Sequence, residues 1–115
     1  MNRLHRPDTR ILLSLFTVLL LTTQNVPALE LRVMTYNIHH AEGTDGKLDL
    51  DRIVEVIKSA EPDVVCLREV DQYLSRTDRM DMPDLLMKKL GMTMIFGPNY
   101  DFDDGHYGNV TLSKY

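Results

Sequence analysis

The sequence predicts an α/β fold, and three observations carry the prediction. Leu31 to Ile38 (LRVMTYNI) is rich in β-branched and aromatic residues, Leu50, Ile53, Val54 and Ile57 recur at helical spacing, and Asp63 to Val70 (DVVCLREV) is an apolar run closing in charge. Strand, helix and strand in that order make a βαβ unit, in which the two strands run parallel and the crossover is right-handed.

The elements carry their own punctuation. The first strand ends at a loop containing Gly and Asp, HHAEGTDG. Asp49 is the expected N-cap of the first helix, with Leu48 and Ile53 placed as a hydrophobic staple; Lys58 lies near the carbonyl end and Pro62 stops it. The run Asp63 to Val70 reads as a strand covered on both faces. A second helix is expected from Pro83 at its first position, through Leu86 and Leu90, to Gly91 as its left-handed terminator. Met92 to Phe96 reads as a strand, the acidic stretch NYDFDDG as a connection, and Tyr107 to Tyr115 as a further strand. There is no repeat, low-complexity tract or linker.

Composition limits the class. The 115 residues hold 13 Lys and Arg against 17 Asp and Glu, a formal charge of -4, with 43% hydrophobic residues, six Gly and one Cys. A disordered chain would be less apolar and more charged, a collagenous one far richer in Gly, and a disulfide scaffold needs paired cysteines. The start MNRLHRPDTR is basic, and the apolar run Ile11 to Leu21 after it is shorter than the ~20 residues that span a bilayer core. Val26-Pro27-Ala28 then supplies a cleavage pattern, so residues 1–28 are expected to be a signal peptide, the alternative being an uncleaved anchor. Export to the periplasm or the extracellular space follows. Removing them takes away three Arg and one Asp and leaves 87 residues with a charge of -6. Such a surface repels a phosphate backbone, so broad binding to nucleic acid is not expected. Cys66, inside Val64-Val65-Cys66-Leu67, is expected to be a buried apolar side chain without a disulfide.

Chemistry is expected at the carboxyl ends of the parallel strands, where open α/β sheets bind ligands. Asn37 lies six positions after Leu31 and Glu69 six after Asp63, so strands of equal length deliver both to one edge. Alternation puts Glu69 on the face of Val65 and Leu67. A carboxylate there needs water, a cation or a donor. Mg²⁺ takes oxygen ligands and keeps several waters, so a carboxylate beside an amide is a reasonable half-site; a merely solvated Glu is the alternative that spacing alone leaves open.

Three segments, RVMTYNIHHAEGTDGKLDLDRI, PDVVCLREVD and GHYGNVTLSKY, resemble in sequence and order the N-terminal half of the endonuclease/exonuclease/phosphatase superfamily. The resemblance covers nearly all of residues 30–115. It implies the N-terminal part of a two-sheet α/β sandwich, a partial domain over residues 29–115, and Mg²⁺- or Mn²⁺-dependent hydrolysis of a phosphoester of unknown class. By position it implies that Asn37 is an active-site and metal-site residue, that Glu69 is the principal metal-binding carboxylate, and that Tyr107 lies near the scissile phosphate. Two positions depart from the pattern: Arg68 stands where Gln commonly precedes the Glu, and Ala41 replaces a frequent Gly after the His pair. In a regular strand Arg68 points away from Glu69. The family's later motifs, an Asp-x-Asn and a terminal Asp-His pair, have no counterpart in these residues. A truncated fragment without independent turnover is therefore expected.

Other residues have two readings each. His39 and His40 could suggest a transition metal, but neighbours on an extended chain point apart; the resemblance implies a place near the active-site rim, where His39 would contact substrate or simply be loop polarity. Arg76 and Arg79 could grip a phosphate through their forks, or be solvated beside Asp78 and Asp81. Asp101, Asp103 and Asp104 lack EF-hand spacing and are read as turn formers. A second class of function is a small exported binding module that uses the βαβ edge without catalysis. A thioredoxin-like version of it lacks the Cys-x-x-Cys motif.

Overall fold

The computed structural model describes residues 28–115; the expected signal peptide, apart from Ala28, lies outside the described residues. Four strands form one mixed sheet in the order β1-β2-β4-β3. They are β1 (Val33–Asn37), β2 (Val64–Gln72), β3 (Thr93–Phe102) and β4 (Gly105–Ser113), with helices α1 (Leu50–Ala60) and α2 (Met82–Leu90) in the two crossovers. β1 and β2 are parallel, with Val33 opposite Val64 and Asn37 opposite Arg68. β4 runs antiparallel to both β2 and β3. Among the described residues no helix is long and apolar enough to cross a membrane.

Both helices are capped at each end. The Asp49 carboxylate accepts the backbone N–H of Arg52 at the start of α1, and Glu61 closes the helix in a left-handed conformation with its N–H on the Lys58 carbonyl. In α2 the cap is Asp81, which accepts from the N–H of Asp84, so Pro83 sits one position later than expected. Gly91, at φ 65°, ends α2 with its N–H on Met87. Ile53, Val54 and Ile57 from α1 and Met82 and Leu86 from α2 share one core with Val65, Leu67, Val70, Val110 and Leu112 from the sheet. Each such side chain contributes about 1.5–3 kcal/mol on burial.

That core occupies one face of the sheet only. On β1 the inward residues are Met34 and Tyr36, while Val33 is 66% exposed; on β3 Ile95 is 76% exposed. The expectation that β2 is covered on both faces is therefore corrected: Val65 and Leu67 are fully buried, whereas Val64 and Cys66, with opposite parity, are only half-buried. Cys66 is a free thiol on this less covered side. A two-sheet sandwich covers both inner faces, and the described residues form one sheet with its helices.

The acidic stretch after Phe96 is a hairpin rather than a loop. β3 continues to Phe102 and β4 begins at Gly105, so only Asp103 and Asp104 turn the chain. Both have positive φ, 52° and 56°, as a two-residue turn that matches strand twist requires. The polar composition concealed the alternation of Tyr100 and Phe102, which lie on one face of the strand.

Candidate active site

β2 breaks its own alternation at the point where chemistry was expected. Leu67 pairs with Val110 and Val70 with Gly108, so Arg68 and Glu69 together stand opposite Asn109: a β-bulge. Glu69 has φ 60°, a left-handed conformation rare for a residue with a side chain. The extra residue lets Val65, Leu67 and Val70 all reach the core, and it removes Glu69 from the apolar face that regular alternation assigned to it. The carboxylate instead meets Asn37, whose neighbours of equal parity, Val33 and Thr35, lie on the uncovered side.

Asn37 Nδ2 donates to Glu69 Oε1 at 2.7 Å, and Asn37 Oδ1 accepts the backbone N–H of His39 at 3.0 Å. The second bond fixes which end of the amide faces the carboxylate. Glu69 Oε2 has no protein partner among the described residues, and the side chain is half-exposed. Asn37 and Glu69 are thus brought together at the end of β1, with one carboxylate oxygen held and the other open.

His39, His40 and Ala41 form a tight turn in which all three have positive φ, 45°, 41° and 64°. The extended geometry assumed for the His pair does not occur, and the two rings lie 4.4 Å apart between centroids. His40 is buried, with Nε2 3.3 Å from the Glu42 carboxylate. His39 is exposed; its Nδ1 donates to the Glu42 carbonyl at 3.3 Å, which leaves Nε2 facing outward. Ala41, only 1% exposed, occupies a left-handed backbone conformation, at φ 64°, that glycine adopts more readily than alanine.

Tyr107 comes from β4, opposite Asp71 of β2 and Tyr100 of β3. Its ring lies 5.1 Å from that of Tyr100, which lies 5.7 Å from Phe102. Desolvation pushes the Tyr107 hydroxyl above its ordinary pKa; the negative charge of Glu69 adds to the rise, and Arg76 opposes it. The phenol is consequently a donor across the neutral range.

Arg76 is not the free fork that the sequence suggested. Its Nε and Nη2 donate to the two oxygens of Asp71, each at 2.7 Å, and the Asp71 side chain is fully buried. Neither Asp78 nor Asp81 is its partner; Asp81 caps α2 and accepts from Gln72 and Tyr73. The guanidinium carbon lies 5.3 Å from the Phe102 ring centroid and 5.6 Å from that of Tyr107. Asp71 was overlooked as a member of this group. Regular alternation puts Asp71 on the face of Val65 and Leu67; the bulge moves it to the opposite face, beside Tyr107, and a bulge leaves no mark in composition.

Among the described residues no three His, Cys, Asp or Glu side chains converge as a complete metal cage. A cleft of about 500 Å³ lies at the other end of the sheet, lined by Ile57, Lys58, Pro62, Leu90 and Met92 among others, and contains none of the residues above.

Comparison with known proteins places these features. A model of the endonuclease/exonuclease/phosphatase family matches residues 34–115. The crystal structure of endonuclease/exonuclease/phosphatase from Beutenbergia cavernae DSM 12333 is 30% identical, with a TM-score of 0.59 over 74% of this chain and 26% of that one. The endonuclease/exonuclease/phosphatase family protein from Leptotrichia buccalis C-1013-b shares the fold at 16% identity, with a TM-score of 0.56 over 75% of this chain and 38% of the other. The chain thus spans well under half the length of either structure. No curated protein matches.

Proposed function

The chain belongs to the endonuclease/exonuclease/phosphatase family, and from that premise we propose that it carries the metal-binding side of a Mg²⁺- or Mn²⁺-dependent phosphoesterase site. The observation that supports this is the pair Asn37–Glu69, a carboxylate held by one oxygen at 2.7 Å and open at the other. The donor set suits a hard cation that retains water: one carboxylate and no thiolate. Glu69 Oε2 is the ligand. Asn37 orients the carboxylate, because its amide NH₂ faces Glu69 and its oxygen already accepts from His39. When bound, the cation polarises the phosphoryl oxygens and offsets charge on the leaving oxygen.

The remaining side chains position the ester. The Tyr107 hydroxyl stays protonated and donates to a phosphoryl oxygen, and Arg76, whose guanidinium lies over the Tyr107 ring, keeps Nη1 without a partner among the described residues. His39 presents Nε2 at the rim. His106 is tied through Nδ1 to Asp101 at 2.6 Å on the hairpin. No side chain among these activates water, and turnover by residues 28–115 alone is not expected. The substrate is a phosphoester, and the acidic balance of the chain disfavours a long polyanion. Export rests on the pattern of residues 1–28 alone.

The test of this reading is hydrolysis of a generic phosphodiester with Mg²⁺ by the purified 115-residue chain. No turnover above background is expected. Mg²⁺-dependent hydrolysis abolished by Glu69→Ala would show that these residues hold a complete catalytic set, contrary to the proposal.

A further inference from the structure

We propose that Asp71 and Arg76 are a positioning pair, in which the buried carboxylate locks the guanidinium so that its one free edge, at Nη1, is an oriented donor for a phosphoryl oxygen of the substrate. The proposal rests on the phosphoesterase reading above and names a residue, Asp71, that never touches substrate.

The geometry is specific. Both Asp71 oxygens accept from Arg76, at Nε and at Nη2, each at 2.7 Å. The Asp71 side chain is fully buried, while that of Arg76 is 41% exposed. The guanidinium therefore lies at a boundary, with its fork inside and its remaining edge outside. Phe102 and Tyr107 hold the group from their ring faces, at 5.3 and 5.6 Å. Tyr107 is in turn braced by Tyr100 at 5.1 Å. A long arginine side chain that is ordinarily mobile has its freedom removed before any ligand arrives, which lowers the entropic cost of binding.

A stability argument does not account for the pair. Buried ion pairs are often no better than apolar residues of similar volume. Nor does simple attraction of anions account for it, since Asp71 cancels the charge that Arg76 brings. What the pair supplies is direction. Asp71 lies two residues beyond Glu69, just past the bulge, so one short segment sets both the carboxylate open to a cation and the anchor of the oriented donor.

The two explanations predict opposite results for Asp71→Asn. If charge alone mattered, removing a carboxylate would tighten phosphate binding. If orientation matters, the neutral amide cannot accept both N–H groups, and binding weakens. The experiment is NMR titration of the whole 115-residue chain with inorganic phosphate in the presence of Mg²⁺, with affinity read from the backbone amide shifts and the Arg76 Nε–H resonance reporting on the fork in the chains that keep Arg76. Asp71→Asn and Arg76→Lys are each expected to weaken phosphate about tenfold or more, the worth of one charge-assisted hydrogen bond. Mg²⁺ affinity without phosphate is expected to be unchanged. Arg76→Lys keeps the buried carboxylate paired and serves if Asp71→Asn fails to fold, which the amide spectrum reports. Wild-type affinity in Arg76→Lys, or equal or tighter binding in Asp71→Asn, overturns the positioning role while leaving the phosphoesterase reading intact. A wild-type chain that binds no phosphate with Mg²⁺ overturns both.

Discussion

Asn37 and Glu69 are hydrogen-bonded at 2.7 Å across two parallel strands although they are not register partners, since Asn37 stands opposite Arg68. The bulge supplies the missing step. Its extra residue, with φ 60° at Glu69, carries the carboxylate across one position and turns it out of the apolar core. Strain held at one backbone position is thus coupled directly to the placement of a candidate ligand.

The left-handed conformation makes position 69 sensitive to side-chain shape in an unusual order. Glycine accepts positive φ freely and a β-branched residue resists it. Glu69→Gly is expected to be more stable than Glu69→Val by about 1–3 kcal/mol, the range of strain for such conformations. Both lose the carboxylate, so urea denaturation separates the backbone effect from any loss of metal. Equal stability of the two variants would place Glu69 in an ordinary extended conformation.

Removing Arg76 leaves Asp71 buried and unpaired. Arg76→Ala is expected to cost about 3–5 kcal/mol, as for other broken buried pairs. Replacing both partners together, as in Asp71→Leu with Arg76→Met, is expected to recover most of that loss. Chemical denaturation of the single and double variants closes the cycle, and a double variant as unstable as Arg76→Ala would contradict the pairing.

The approach of β3 to β4 leaves no room at Gly108. A methyl group there would fall on the carbonyl oxygen of Gly97 and on Cα of Pro98. Gly108→Ala is expected to destabilise by about 1–3 kcal/mol through overpacking. Gly46→Ala, which meets nothing within 4 Å but sits at φ 70°, isolates the separate cost of positive φ. Thermal melts of both distinguish contact from conformation.

Acid is expected to loosen the amino-terminal edge of β2. The Asp63 carboxylate accepts the backbone N–H of Arg32 at 2.9 Å and the Lys114 ammonium at 3.2 Å, which hold its pKa below the ordinary 3.8. A lowered folded value means that the unfolded chain binds the proton first. The stabilisation is therefore present above pH 3.8 and is lost as pH falls through the folded value. Asp63→Asn is expected to flatten the dependence of stability on pH below about 4, the ordinary carboxylate range. An unchanged slope in urea titrations between pH 4 and 2 would contradict it.

Much of the fold was legible because its signals are local. Asp49 and Gly91 announce helix ends by cap chemistry, and Ile53, Val54 and Ile57 announce a buried face by spacing. The equal offsets of Asn37 and Glu69 brought them to the same edge, and the structure joins them. What was not legible depends on contacts between distant residues. Which face Asp71 takes is set by a bulge opposite Asn109, thirty-eight residues beyond it, and the Asp71 carboxylate in turn holds Arg76. Likewise the acidic hairpin passed for a loop, because pairing of Tyr100 with Tyr107 cannot be read from either strand alone.

The proposed role of Glu69 as metal ligand is tested most directly by isothermal titration calorimetry of Mg²⁺ into the wild-type chain and Glu69→Gln. The wild type is expected to give weak, saturable binding at one site, and Glu69→Gln, with the same shape and no charge, is expected to abolish it. Saturable binding of equal strength in both would contradict the assignment.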